Sequence, residues 1–145
     1  MDLIILNQPW EDLLFLAHTS QVPSANLSGF LFGRKLVQAY LVQKIAVIPR
    51  SRLFRPETLA GAERQQRLQV LGLFNFGQEA QLKKNVQQPL FCEKVILSIK
   101  TARPAGLRFQ SRIVRFNGRF YLARPDRLLI EMEEGNDRKQ SGFSH

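Results

Sequence analysis

Arg67-Leu-Gln-Val-Leu-Gly-Leu-Phe-Asn-Phe-Gly77 decides how the rest of the chain is read. Apolar side chains alternate through it and stop at Asn75-Phe76-Gly77, where the residues no longer look like core and the chain has to turn. The stretch predicts a buried strand over 68–76 ending at a polar rim. Before it, Pro56 and Glu57 open a helix over 56–66, because proline sacrifices no hydrogen bond at the first helical position. Glu63 and Arg67 stand four apart in the stabilising order. After it, 78–88 reads as a short polar helix with Leu82 and Val86 inward, and Lys83 and Lys84 outward, closed by Pro89. Residues 91–99 come next as a strand apolar on both faces, hence a central one.

Further out, Pro9 opens an N-terminal helix in which Trp10, Leu13, Leu14 and Ala17 recur at helical spacing, ending near Ser20. Gly29-Phe-Leu-Phe-Gly33 is a strand, Arg34-Lys35 a turn, and 36–48 a second strand whose alternation slips at Gln43-Lys44, predicting a bulge in a hairpin. Arg50, Arg52 and Arg55 fall in an aperiodic segment that reads as a solvated loop. Toward the C terminus, Asn117-Gly118 between alternating strands predicts a β-hairpin over 107–124, since both residues accept the positive φ of a type I′ turn. Pairing Phe116 with Arg119 buries Phe109, Ile113, Phe120 and Leu122. It leaves Arg108, Arg112, Phe116, Arg119 and Tyr121 on the other face. The alternation of Leu128, Ile130 and Met132 favours a strand over a helix in 126–134, and the polar 135–145 segment is expected to be a disordered tail.

Composition bounds the function. A chain of 145 residues, 44% hydrophobic, is enough for one domain, placed at 1–134, with its own core. The single Cys92 excludes an internal disulfide and a multi-cysteine metal site, and favours a cytoplasmic location. The apolar run at the N terminus is too short for a signal peptide, and no stretch is long enough to span a membrane. Twenty-one Lys and Arg against 12 Asp and Glu give a formal charge of +9, a field that attracts polyanions.

The order of elements and particular residues resemble the MPN/JAB domain family, whose active members are zinc-dependent isopeptidases and peptidases. Ser28-Gly-Phe-Leu-Phe-Gly33 looks like the family's Gly-x-Leu-x-Gly strand, and Val70-Leu-Gly-Leu-Phe-Asn-Phe-Gly77 like its Val-Gly-x-x-His-x-His-Pro strand. The resemblance covers roughly residues 9–100. It implies an α/β (α+β) fold of one MPN/JAB-like domain, a mixed central sheet flanked by helices, with a C-terminal β-hairpin. It also implies where an active enzyme would hold its chemistry, and there the chain departs from the pattern. Asn26 stands where the water-activating Glu is expected, and Asn75 and Gly77 stand where two metal-binding histidines are expected. The family's subsequent Ser-x-x-Asp has no counterpart. Neither asparagine nor glycine replaces imidazole at zinc, so no catalytic residues, no metal and no cofactor are expected.

No other constellation supplies an active site. His18 reads as a capping or solvated side chain, Cys92 as a core thiol, and Gly29, Gly33, Gly72 and Gly77 lack phosphate-loop spacing. The expectation is a catalytically inactive scaffolding module that binds a protein partner or forms a homodimer. The alternative is a nucleic-acid-binding protein using Arg108, Arg112, Arg119, Phe116 and Tyr121, because arginines and aromatics serve both kinds of surface. A hydrolase with a rearranged site is the third reading.

Overall fold

The computed structural model describes residues 1–19, 27–77, 79–101 and 107–131. Within them the chain runs β1 (Asp2–Leu6), α1 (Asn7–Thr19), β2 (Ser28–Lys35), β3 (Ala39–Val47), α2 (Arg50–Leu53), α3 (Pro56–Gln66), β4 (Gln69–Phe76), α4 (Glu79–Val86), β5 (Val95–Thr101), β6 (Leu107–Phe116), β7 (Phe120–Ala123) and β8 (Leu128–Glu131). The strands form one mixed sheet in the order β7-β6-β5-β4-β2-β3-β1-β8. β4 and β5 are parallel, as are β1 with β3 and β1 with β8; the remaining neighbours are antiparallel.

Each face of the sheet buries its own apolar layer. α1 lies on one face, where Leu13, with Trp10, Leu16 and Ala17, packs on Leu3, Ile5, Tyr40, Val42, Phe74 and Leu97. The sheet curls around this helix: the Trp10 ring meets Phe109 of β6 at 4.6 Å, and Leu128 and Ile130 of β8 join the same cluster from the far edge. On the other face, Leu53 of α2, Leu59 of α3, and Leu82 and Val86 of α4 cover Phe30, Phe32, Leu73, Ile96 and Val114. A mixed α+β architecture with helices on both sides of the sheet is therefore present, as the sequence predicts.

Two strands bulge, and a bulge changes which side chains reach which face. In β3 the partner of Phe32 is Lys44 and that of Gly33 is Val42, so Gln43 is the extra residue, within the predicted slip. In β4 the partner of Leu31 is Gly72 and that of Phe32 is Val70, leaving Leu71 extra. Leu71 joins the α1 face, and the next odd-numbered residue, Leu73, joins the other. Beyond the bulge Asn75 points the same way as Leu73.

Several local expectations need correction. The run Leu3-Ile-Ile-Leu6 is a strand, sandwiched between β3 and β8. Residues 50–53 form a helical turn rather than a loop, because buried Leu53 and partly buried Phe54, whose ring meets Phe91 edge-on at 5.8 Å, anchor the arginine-rich segment. The first hairpin turns at 36–38, not at Arg34-Lys35, which belong to β2. β5 begins at Val95, four residues later than predicted, after a 3-10 turn at Pro89–Phe91. Glu63 does not serve Arg67: its carboxylate accepts the Val70 N–H at 2.7 Å, and Arg67 ends α3 in the left-handed conformation. The predicted strand in 126–134 is β8. The expected tail at 135–145 lies outside the described residues.

Candidate functional site

Three polar residues are buried among the described residues, Ser28, Asn75 and Ser98, and the register brings them into one row. Ser28 of β2 is opposite Asn75 of β4, Asn75 is opposite Ser98 of β5, and Ser98 is opposite Gln110 of β6. Strand neighbours share a face, and in each strand the residue two positions toward the covered end (Phe30, Leu73, Ile96) belongs to the cluster under α2–α4. The polar row therefore continues that apolar layer, toward the C-terminal ends of the parallel pair β4 and β5. Crevices at such strand ends are where open α/β sheets hold ligands.

Specific hydrogen bonds hold the row in place. Ser28 donates its hydroxyl to the Ile48 carbonyl at 3.1 Å, while the Ile48 N–H returns a bond to the Ser28 carbonyl at 3.0 Å. Arg50, the first residue of α2, donates from Nη1 to Asn75 Oδ1 at 2.8 Å. A guanidinium can only donate, so the amide oxygen has to face it, and Asn75 Nδ2 then reaches the Gly77 carbonyl at 3.1 Å. Gly77 sits at φ 96, a conformation that suits glycine, and its N–H reaches the Ile99 carbonyl at 3.3 Å. Nη2 of Arg50 is buried with no hydrogen-bond partner among the described residues.

The predicted positions are partly brought together. Asn75 and Gly77 converge at the end of β4, while Asn26 lies outside the described residues. Arg50, Ser28, Ser98 and Gln110 join them, although nothing in the sequence alone marks these for the site. Their signal is the strand register, which depends on pairings between distant segments. The donor set does not fit zinc: Asn75 and Gly77 offer no imidazole, thiolate or carboxylate, and a guanidinium already donates to the Asn75 amide oxygen. Among the described residues, no group of three or more His, Cys, Asp or Glu is placed to hold a metal ion.

The hairpin face is rearranged by one residue. Phe116 pairs with Phe120, not Arg119, so Asn117-Gly118-Arg119 is a three-residue loop with Gly118 at φ 109. A one-residue slip sends the side chains of one strand to the opposite face relative to the other. Phe120 and Leu122 consequently lie with Val114 under the helical layer, not with Phe109 and Ile113. Arg108, Arg112 and Phe116 share that face, Tyr121 lies on the other, and Arg119 is in the exposed loop. Arg112 is half-buried and donates to the Ser111 carbonyl at 2.8 Å. Arg108 extends the polar row: with Lys100, its partner on β5, it lines a cavity of about 230 Å3 together with Ser98, Phe109 and Gln110.

No protein-family model matches the chain, and no curated protein matches it. Among solved structures, the chain is similar to the solution structure of protein DSY2949 from Desulfitobacterium hafniense, at 18% sequence identity and a TM-score of 0.60, over 90% of this chain and 94% of that one. At this identity the likeness is one of fold. No helix among the described residues is long and apolar enough to cross a membrane.

Proposed function

We propose that the chain is a catalytically inactive, metal-free MPN/JAB-like domain that works as a protein-interaction or scaffolding module in the cytoplasm, either with a different protein or as a homodimer. The observation that carries this reading is the Arg50–Asn75 bond at 2.8 Å. Asn75 is the residue that the resemblance aligns with a metal-binding histidine, and the guanidinium donates to its side-chain oxygen. A divalent cation at the same oxygen would have to tolerate a fixed positive charge beside it.

The test is metal content. The purified full chain is incubated with excess zinc, dialysed, and assayed by inductively coupled plasma mass spectrometry. Well under one zinc per chain is expected. One zinc per chain, lost in Asn75→Ala, would overturn the reading.

A further inference from the structure

The β6–β7 hairpin carries an apolar groove that the polar row does not use. Phe116 is 55% exposed, and its ring lies 4.8 Å from that of Phe120. Pro89 and Cys92, from the segment between α4 and β5, complete an open cavity of about 460 Å3. The three-residue loop creates this groove, because pairing Phe116 with Phe120 puts both rings on one face. Among the described residues, the walls are two phenylalanines, a proline and a thiol, with no charged side chain.

The hairpin that carries the groove is charged with one sign only, and Glu93, next to Cys92, is the acidic neighbour, paired with Lys35 and Arg115. Residues 107–125 contain Arg108, Arg112, Arg115, Arg119 and Arg124 and no Asp or Glu. Arg119 lies in the exposed loop that joins Phe116 to Phe120, and Arg112 is on the same face of β6 as Phe116, four residues earlier. Arg115 is on the opposite face and pairs with Glu93 at 3.5 Å.

We infer that this groove docks an acidic segment of another protein, with one large aromatic or aliphatic side chain filling the space between Phe116, Phe120, Pro89 and Cys92 and carboxylates facing the Arg119 side. The inference rests on the interaction-domain reading above and names the surface responsible. Charge decides among the occupants. A second copy would oppose arginines to arginines, and like charges set against each other suppress association. A nucleic acid would satisfy the arginines but not the apolar walls, and Tyr121, the other exposed ring of the hairpin, is on the far face. An exposed aromatic bordered by arginine is the composition of a protein-binding hot spot.

The experiment is fluorescence anisotropy with a labelled probe peptide that carries a single tryptophan among glutamates and aspartates. Phe116→Ser is expected to weaken binding about tenfold or more, and Arg119→Glu to weaken it and flatten its salt dependence. Bound peptide is also expected to slow alkylation of Cys92 by iodoacetamide, which reads the same groove without mutation. Phe116 is more than half exposed, so its variant should keep the wild-type melting curve. If it does not fold, Arg119→Glu and Cys92 protection carry the test. The inference is overturned if the wild-type chain leaves the probe unbound, if a tryptophan-to-serine probe binds equally well, or if an oligothymidylate binds in the probe's place. A dimer in sedimentation velocity that Phe116→Ser dissolves would overturn it in favour of self-association. Zinc binding tests the domain reading separately, so a wrong groove and a wrong domain give different results.

Discussion

The Arg50–Asn75 contact makes a quantitative prediction. Asn75 is fully buried, and its side-chain oxygen receives the guanidinium at 2.8 Å. Arg50→Met keeps an unbranched stem but leaves that oxygen without its donor, and Asn75→Leu keeps the volume but leaves Nη1 as unpartnered as Nη2. A hydrogen bond to a charged group contributes roughly 1.5–3 kcal/mol net, and the half-buried arginine argues for the lower end, about 1.5–2 kcal/mol. Each single variant should therefore lose about that much. The double variant should lose less than their sum, because the second substitution removes the group that the first left orphaned. At about 2–4 °C per kcal/mol for a chain of this size, each single variant melts roughly 3–8 °C lower. The assay is urea unfolding of the wild type, both singles and the double, monitored by far-ultraviolet circular dichroism, with the coupling energy taken from the cycle. A coupling below about 0.5 kcal/mol, the level found for independent sites, would refute the claim that Arg50 is locked to this strand end.

Tyr40 supplies a pH-dependent test. Its phenol donates to the Glu93 carbonyl at 2.7 Å, and burial, reinforced by the Glu93 charge, pushes its pKa up to about 12 from an ordinary 10. The unfolded chain loses that proton near pH 10 while the folded one keeps it, so this contribution is complete below pH 10 and is lost as pH rises to about 12. The loss amounts to roughly 3 kcal/mol. Urea melts across that range should show a downward slope that Tyr40→Phe removes, and parallel curves would contradict the assignment. Two glycines should respond in opposite directions to alanine. A methyl at Gly72 would run into the Val95 backbone carbonyl, so Gly72→Ala should cost on the order of 3 kcal/mol or abolish the cooperative melt. In α3, a methyl at Gly61 would meet nothing nearer than Arg64 Nη2 at 3.8 Å, so Gly61→Ala should stabilise by about 0.5–1 kcal/mol. Thermal melts of the two variants check both signs.

The elements legible in the sequence are those whose pattern is local. β4 and α3 announce themselves by periodicity and by proline at a helix start, and the bulge in β3 by a slipped alternation. β1 gives no such signal, because Leu3-Ile-Ile-Leu6 has no alternation and its partners begin 37 and 125 residues away, at Ala39 and Leu128. The second hairpin is legible but its register is not. Asn-Gly suggests a two-residue loop, whereas here Arg119 enters the loop and the Phe116 and Phe120 rings meet across the strands, tilted, at 4.8 Å. Of the site, Asn75 and Gly77 are legible as an interruption of a strand. Arg50 is not, since an arginine in an irregular segment gives no indication of which carbonyl or amide it will reach.

The Leu71 bulge connects these levels. In an uninterrupted strand, side chains alternate, and Leu71, Leu73 and Asn75 would all face α1. Asn75 would then be buried among Leu3, Leu13 and Leu97, away from α2 and beyond the reach of Arg50, with an amide unpaired in an apolar layer. One extra residue instead divides the strand: Leu71 stays with the α1 core, Leu73 crosses to the α2–α4 core, and Asn75 is delivered beside Ser28 and Ser98. The polar row and its arginine therefore depend on an irregularity of the backbone as much as on the identities of the side chains. The same dependence appears at β6–β7, where a loop one residue longer than the two-residue turn converts an expected arginine-and-aromatic face into an apolar groove with Arg119 in the adjoining loop. In both places a single residue of register decides which chemistry meets which partner.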